Sequence, residues 1–89
     1  LDSDPEDQRI VNNLGLVYGY QGKEDLCLHL FRQVNTEAEA LANVGFILSQ
    51  TGDNQKAQSY FHRALELDPT LKTAAVALLE YDQAEKSGK

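Results

Sequence analysis

The chain has 89 residues, 42% of them hydrophobic, which is enough apolar material for one small folded domain and argues against disorder. Eight basic residues against fourteen acidic ones give a net charge of −6, which disfavours nucleic acid and anionic membranes as partners because both bind clusters of Lys and Arg. Cys27 is the one cysteine, so an internal disulfide is excluded. No apolar run approaches the roughly 18 residues that a membrane span needs.

The start of the chain carries no basic region followed by an apolar stretch, so no signal peptide is visible there. The first residue is Leu1 rather than Met, which we take to indicate a segment of a longer protein. A single cysteine is compatible with a reducing compartment. Cytoplasmic and periplasmic locations both fit the composition.

The apolar residues follow a helical period from the start of the chain. They recur at three- and four-residue spacing from Asp7 to Tyr20, which predicts a first helix there. Gly22 interrupts the pattern, and a second helix is predicted to run from about Lys23 to Val34. Strand signals are weak by comparison, because period-two alternation is nearly absent.

Three further helices follow. Thr36 with Glu39 three residues later is typical of a capping box and predicts the start of a third helix, which "TGD" at 51–53 ends. A fourth is predicted from about 54 to 67, before Asp68-Pro69, because the residue before a proline avoids the helical region. A fifth is predicted over about 70–86. The sequence therefore predicts an all-α fold.

The helices form an internal repeat. Shifting the chain by 30 residues places "LG" at 14–15 on "VG" at 44–45 and "QGK" at 21–23 on "TGD" at 51–53. The same shift pairs a small residue with a small one, Cys27 with Ala57, and an aromatic residue with an aromatic one, Phe31 with Phe61, and it also pairs Arg32 with His62. This pattern indicates one helix–turn–helix hairpin used twice.

Glycine in the middle of both first helices supports this interpretation. Gly15 and Gly45 each cost about 1 kcal/mol relative to alanine inside a helix. Such a cost is tolerated where a side chain would block the close approach of another helix. We expect Cys27 and Ala57 to supply the small surface opposite these glycines, with Phe31 and Phe61 filling the gap beside it.

The pattern resembles the tetratricopeptide repeat, whose signature runs large apolar, Leu-Gly, Tyr, then Ala, Phe and Pro at fixed spacing. The segment "GDNQKAQSYFHRALELDP" at 52–69 carries the strongest likeness, and Val11 stands where the family has Trp. The resemblance implies a superhelical α-solenoid. It assigns a structural role to Leu14, Gly15, Tyr18, Cys27, Phe31, Val44, Gly45, Ala57, Phe61, Ala64 and Pro69.

Two departures from the family pattern define the expected domain organisation. The step between repeats is 30 residues, whereas the family norm is about 34, so about one helical turn is missing between Val34 and Ala38. In the fifth helix, Leu79 replaces the glycine and Asp82 the aromatic residue. We therefore expect a single domain over 1–89: a tail of a preceding repeat at 1–6, where "LDSDP" echoes "LELDP", a shortened repeat at 7–35, a second repeat at 36–69 and a capping helix at 70–86.

Catalytic and metal chemistry have few candidates in this sequence. Cys27 and His29 are two apart on one helix, so they point to different faces, and no Cys/His pair has zinc-site spacing. No glycine-rich phosphate loop is present. We expect Cys27 in the core, His29 and His62 facing solvent, and no cofactor, no metal and no catalysis.

The remaining expectation is a binding surface for another protein or peptide. In the family, the first helices of successive repeats line a concave face that holds such partners. Asn13 and Asn43 coincide under the 30-residue shift, and a side-chain amide can donate to and accept from the backbone of an extended peptide. After the inward-packing positions are removed, the predicted contact residues are Arg9, Asn12, Asn13, Leu16, Tyr20, Glu39, Asn43, Phe46 and Gln50, with Ala42 on the same face.

Several alternatives stay open at this point. The fifth helix or the tight step between repeats could bury Leu16, Tyr20 and Phe46 instead. The segment could serve only as the structural cap of a longer array, or the apolar run at 74–79 could form a homodimer or dock a missing domain. A family-type clamp for a C-terminal carboxylate is disfavoured, because Arg9 is the one base nearby. The low-Lys, Gln-rich composition and the compressed repeat resemble bacterial members, including those in pilus assembly and secretion.

Overall fold

The computed structural model describes residues 5–87, with side chains described for residues 7–84. Within this part the chain forms five α-helices and no strand: α1 (Pro5–Tyr20), α2 (Glu24–Val34), α3 (Glu37–Gln50), α4 (Asn54–Leu67) and α5 (Lys72–Ser87). Turns of two to four residues join them. The all-α prediction is confirmed for the described residues.

Local signals fix where the helices begin and end. The Glu39 backbone N–H donates to the Thr36 hydroxyl at 3.1 Å, and the Thr36 N–H donates to the Glu39 carboxylate at 3.0 Å, so the predicted capping box is confirmed. Gly22 and Gly52 close the turns before α2 and α4 with φ of +84° and +94°. These positive φ angles are readily adopted only by glycine.

The starts of α1 and α5 differ from the prediction. Helix α1 begins at Pro5 rather than Asp7, because proline fits the first helical turn, where its missing N–H would be unpaired anyway. The tail predicted at 1–6 otherwise lies mostly outside the described residues. Helix α5 begins only at Lys72, since the Asp68 carboxylate accepts from the Thr70 N–H and hydroxyl at 3.1 and 2.6 Å and holds the chain in a turn.

Helix α3 is the centre of the packing. It contacts α1, α2 and α4, and seven of its residues are buried: Ala38, Ala40, Leu41, Ala42, Val44, Gly45 and Ile47. Small residues on several sides of α3 let its neighbours approach closely, while Leu41, Val44 and Ile47 fill the space between them. The alanine at position 42, predicted to lie on the binding face, is buried and does not reach solvent.

The two hairpins are closed by the same contact between a glycine and a phenylalanine. A Cβ on Gly15 would lie 2.8 Å from Cε1 of Phe31, and one on Gly45 would lie 2.9 Å from Cε1 of Phe61. The predicted close approach is therefore present in both hairpins. Its partner is the aromatic ring itself, rather than the small surface expected from Cys27 and Ala57.

A third close approach, at Gly19, joins the two hairpins. A Cβ at this position would lie 2.7 Å from Cδ1 of Ile47 and 3.0 Å from the Cys27 sulfur. Gly19 thus lets α3 pack on the C-terminal half of α1. The 30-residue comparison missed it, because its counterpart is Ser49.

The predicted inward packing of Leu14 is wrong. Leu14 is 43% exposed, whereas its counterpart Val44 is 2% exposed. Val44 borders a 110 Å³ cavity together with Gly19 and Cys27 of the preceding hairpin. Among the described residues no helix precedes α1, so Leu14 has no such neighbour.

The apolar run at 74–79 does not form one exposed surface. Ala74 and Ala77 are buried against the rest of the core, whereas Ala75, Val76 and Leu79 are exposed on the other side of α5. A helix of 3.6 residues per turn separates the two groups onto different faces. The exposed part of the run is therefore limited to positions 75, 76 and 79.

The compressed step between the repeats is visible in α2. This helix has 11 residues and α4 has 14, which confirms the expected loss of about one turn. A two-residue turn then leads into α3, and Arg32 at the end of α2 donates from Nε and Nη2 to the Glu37 carboxylate at 2.8 and 2.7 Å.

Candidate functional site

A groove runs along one face of the molecule, lined by α1, α3 and α5; it is called the α1–α3–α5 groove below. Two adjoining cavities form it, one between α1 and α3 and the other between α3 and α5. Phe46 and Gln50 of α3 border both cavities and form the wall between them. Six of the nine residues that the sequence predicts for the binding surface line this groove.

The first cavity has a volume of about 420 Å³ and an uncharged lining. Leu16 and Tyr20 of α1 face Phe46 and Ile47 of α3 across it, and Phe31 lies at its base. Four side-chain amides complete the lining: Asn12, Asn35, Asn43 and Gln50. The cavity combines apolar walls with groups that can both donate and accept hydrogen bonds, as is typical of ligand sites.

The second cavity has a volume of about 280 Å³. Phe46 and Phe61 form its apolar floor with Ala77, and Ser49, Gln50, Tyr81 and Ala84 surround it. The Phe46 and Phe61 rings meet edge to face, with centroids 5.3 Å apart and planes at 77°, which is a favourable geometry for an aromatic pair. Glu80 contributes one carboxylate to this cavity.

The structure places the predicted contact residues in three situations. Five of them line the groove without a side-chain hydrogen bond to another described residue: Leu16, Tyr20, Asn43, Phe46 and Gln50. Arg9 and Asn13 are exposed on α1 but border neither cavity. Asn12 and Glu39 already have partners within the fold.

The partners of Asn12 and Glu39 have structural roles. Asn12 accepts from the Asn35 amide at 3.2 Å, and the same amide donates to the Phe31 carbonyl at 3.0 Å, so this pair closes the end of α2 against α1. Glu39 is engaged in the capping box of α3. Either residue would give up a hydrogen bond within the fold in order to bind a partner.

The three large apolar side chains of the groove reach solvent. Tyr20 is 55% exposed and Phe46 is 41% exposed, and Leu16 is exposed to a similar degree. Neither α5 nor the short step between the hairpins covers them. The alternative that the fifth helix or the step between repeats buries these three side chains therefore does not hold for the described helices.

Sequence reasoning missed the contribution of α5 to the groove. A shift of 34 residues places Phe46 on Glu80, which lines the second cavity beside Tyr81. The sequence contains this signal, but Leu79 at the glycine position favours a capping helix. The Tyr81 hydroxyl donates to Asn54 at 2.9 Å and so fixes α5 to the start of α4.

A polar cluster joins the two hairpins on the side away from the groove. The Tyr60 hydroxyl donates to the Glu24 carboxylate, and the Lys56 ammonium lies 3.0 Å from the other carboxylate oxygen. The Tyr60 hydrogen bond is the main cause that holds the pKa of Glu24 below its usual value. Burial, together with the bond to Glu24, raises the pKa of Tyr60 to about 12.

Cys27 and the two histidines lie in unlike environments. Cys27 is fully buried, as expected, and burial is the main cause that raises the pKa of its thiol to about 11. His29 and His62 are exposed, which confirms their predicted placement. In the part of the chain that the structure describes, no three His, Cys, Asp or Glu side chains come together as a candidate metal site.

Comparison with known proteins gives one family and one relative. Residues 38–71 match the family model for the tetratricopeptide repeat. Over 54 residues the chain is 39% identical to the photosystem I assembly protein Ycf3 of Acaryochloris marina, an alignment that covers 55% of this chain and 32% of that protein. The chain thus spans about a third of the length of this relative. No solved structure matches.

The relative is cyanobacterial, which agrees with the bacterial membership that the sequence predicts. The matched segment at 38–71 contains α3 from its second residue onward, all of α4 and the turn that leads to α5. Among the helices of residues 5–87, none is both long and apolar enough to cross a lipid bilayer.

Proposed function

We propose that the chain is a member of the tetratricopeptide repeat family, whose model matches residues 38–71, and that it is a non-catalytic protein–protein interaction module that holds a partner segment in the α1–α3–α5 groove. The observation that carries the proposal is the exposure of Leu16, Tyr20 and Phe46 along one continuous groove. Exposed large apolar side chains that cluster on one face are typical of interaction sites.

The relative supports a role in assembly. Ycf3 of Acaryochloris marina is named for the assembly of photosystem I. We infer for this chain the more general role of an adaptor or scaffold that brings protein components together.

The chemistry of the candidate nucleophile is consistent with a non-catalytic role. A thiolate, rather than a thiol, is the reactive form of cysteine. Because its pKa is raised to about 11 and its side chain is fully buried, Cys27 stays a neutral thiol at physiological pH and does not meet a substrate. We assign it to the core.

Charge substitutions in the groove test the proposal. Phe46→Lys and Tyr20→Lys place an ammonium where an apolar partner surface would lie, so we expect each to abolish the capture of partners from an extract of the source cells, as measured by quantitative mass spectrometry. Leu26→Lys and Leu67→Lys are matched controls outside the groove. Leu26 is 45% exposed, against 41% for Phe46, and Leu67 is 58% exposed, against 55% for Tyr20.

The control variants should capture the same proteins as the unchanged chain. Far-ultraviolet circular dichroism should give the same helical content for all four variants, because each replaced side chain is exposed. If the groove variants capture partners as well as the controls do, the groove is not the binding site. The chain would then serve as a structural cap for a longer array.

A second candidate function is self-association through the outer face of α5. The observation that favours it is the exposure of Ala75, Val76 and Leu79 on one side of that helix. Sedimentation velocity over a range of protein concentrations tests it. A dimer that Leu79→Glu dissociates and that Phe46→Lys leaves intact would assign this function to α5; a monomer at every concentration would exclude it.

A further inference from the structure

The α1–α3–α5 groove has two compartments that differ in charge. The first cavity is lined by apolar and amide side chains alone, and the second has the Glu80 carboxylate on its wall. Among the described residues, neither a lysine nor an arginine lines either cavity. The groove therefore offers an uncharged end at α1 and an acidic end at α5.

We propose that the partner segment carries two large apolar side chains, one for each cavity, and a Lys or Arg beside the second one that pairs with Glu80. This inference rests on the proposed function, since it describes what the same groove binds. It commits to a basic, doubly anchored peptide segment as the occupant.

The sizes of the cavities support two anchors rather than one. An apolar cavity of roughly 150 Å³ is enough to hold benzene, so volumes of about 420 and 280 Å³ each accommodate at least one large side chain. Phe46 stands between the cavities, and its edge-to-face contact with Phe61 supports it in that position. A single side chain cannot fill both compartments across this wall.

The first cavity selects an uncharged anchor. A charged side chain buried there would find no opposite charge among the lining residues, and an unpaired buried charge is strongly disfavoured. Asn43 and Gln50 have amide groups that other described side chains do not bind. These amides can donate to and accept from the backbone of the segment that carries the anchor.

The second cavity selects a basic neighbour. Glu80 is exposed and has neither an ion pair nor a hydrogen bond with another described residue. A guanidinium or ammonium placed at the rim of this cavity would give Glu80 an opposite charge that no described residue supplies. The net charge of −6 acts in the same direction, because a negative protein attracts basic partners during encounter.

Selection of random dodecapeptides displayed on phage tests this inference. The immobilised full chain is the target, and the selected peptides are synthesised with a fluorophore and measured by fluorescence anisotropy. We expect them to share two large apolar residues and a neighbouring Lys or Arg. Replacing either apolar residue of the peptide by Ala should weaken binding about tenfold, and replacing the basic residue should weaken it about two- to fivefold.

Two variants of the protein assign the peptide residues to their cavities. Glu80→Gln should remove the preference for the basic residue, while Glu66→Gln, an exposed carboxylate on α4 outside the groove, should keep it. Ser49→Phe fills the second cavity, which Ser49 lines and the first cavity does not share. In that variant, replacing one of the two apolar peptide residues by Ala should no longer weaken binding.

The possible results separate this inference from the function on which it rests. Loss of peptide binding in Phe46→Lys shows that the groove is the binding site. The inference about the peptide is nevertheless overturned if the selected peptides carry a single apolar anchor, prefer acidic residues, or bind Glu80→Gln with an unchanged preference for the basic residue. Selected peptides that bind Phe46→Lys as well as the unchanged chain reject both. Peptides with two apolar anchors and a basic residue support both the inference and the proposed function, provided that the basic residue no longer strengthens binding in Glu80→Gln.

Discussion

The two hairpins of this chain share one internal contact and differ in what surrounds it. The ring of Phe31 approaches Gly15 in the first hairpin (α1–α2) as closely as the ring of Phe61 approaches Gly45 in the second (α3–α4). Helix α3 has seven buried residues, whereas among residues 7–20 of α1 only Gly15 is buried. The same local pattern therefore gives a helix with half of its residues buried in one place and a largely exposed helix in the other.

This difference separates two levels of the fold. The glycine and the phenylalanine of each hairpin determine how its two helices meet. The neighbouring hairpin determines how much of each helix is removed from water, as expected for repeat proteins, whose stability sums terms within repeats and terms between neighbours. The predictions below test this separation, from the largest expected effect to the smallest.

The largest effect is expected from removal of the two phenylalanine rings. Phe61→Ala should lower the free energy of unfolding by about 3–5 kcal/mol, because the ring is fully buried between Gly45 and Phe46. Phe31→Ala should lower it by about 1 kcal/mol less, because Phe61→Ala in addition removes the edge-to-face contact with Phe46, while both rings border a cavity. Urea unfolding followed by circular dichroism measures both values.

Leu26→Ala is the control for this pair. Its side chain is exposed on α2, so we expect a change within about 0.5 kcal/mol. A larger loss for Phe31→Ala than for Phe61→Ala would contradict the separation, because the first hairpin would then depend on its ring more than the enclosed one does.

Substitution of the two glycines sharpens the comparison. Gly45→Ala forces the Phe61 ring to move against Phe46, and this overpacking, partly offset by about 1 kcal/mol of helix propensity, should leave a net loss of about 1–2 kcal/mol. Gly15→Ala should be nearly neutral, because no ring contact like that of Phe46 with Phe61 holds Phe31 in place among the described residues. The thermal midpoint of unfolding reports both changes.

Ser59→Ala provides the reference for helix propensity alone. Ser59 is exposed on α4, and alanine there should stabilise the chain by up to about 0.5 kcal/mol. Equal losses for Gly15→Ala and Gly45→Ala would mean that the contact with Phe46 does not restrict the Phe61 ring.

The glycines also show what the sequence could and could not predict. Gly15 and Gly45 were identified because the 30-residue shift superimposes them, together with the phenylalanines that contact them. Gly19 has Ser49 as its counterpart, so the shift gives no signal, although Gly19 lies close to Ile47 of the second hairpin. Contacts within a repeat recur in the sequence, whereas contacts between unlike neighbours do not.

The candidate site divides in the same way. The exposed positions of α1 and α3 follow from helical period, and Leu16, Tyr20, Asn43, Phe46 and Gln50 line the groove as that period predicts. The hydrogen bonds that occupy Asn12 and Glu39 depend on the turn between α2 and α3, which period does not describe. The contribution of Glu80 depends on how α5 packs on α4. It was not predicted, because Leu79 in place of the repeat's glycine favours a capping helix.

The polar link between the hairpins should make stability depend on acid. The Tyr60 hydroxyl lowers the pKa of Glu24 in the folded chain, relative to about 4.3 for an unfolded glutamate. A lowered folded pKa stabilises the fold above the unfolded value, and this stabilisation is lost as the pH falls through the folded value. We expect Glu24→Gln to cost about 1 kcal/mol at neutral pH and progressively less in acid.

Thermal midpoints of both proteins, measured from neutral pH down to about pH 2, test this dependence. The two curves should converge at the acid end, because Glu24 is then protonated and uncharged like the glutamine. Glu66→Gln is the control, since Glu66 is exposed on α4 and outside this cluster; its curve should run parallel to that of the unchanged chain. Curves that keep a constant separation for Glu24→Gln would assign its role to shape rather than to charge.

The smallest effect is expected at the ion pair that spans the shortened turn. Arg32 contacts Glu37 across the two-residue connection of α2 and α3, and both side chains are 45% exposed. Exposed pairs of this kind contribute about 0.2–1 kcal/mol, and salt screens them. We therefore expect Arg32→Gln to lower stability by less than about 1 kcal/mol, with the difference shrinking as salt is added.

His62, which occupies the equivalent place in the second hairpin, is exposed before a longer turn, so His62→Gln should change stability less than Arg32→Gln does. A salt-independent loss in Arg32→Gln would instead show that the apolar stem of Arg32, rather than its charge, holds α2 against α3.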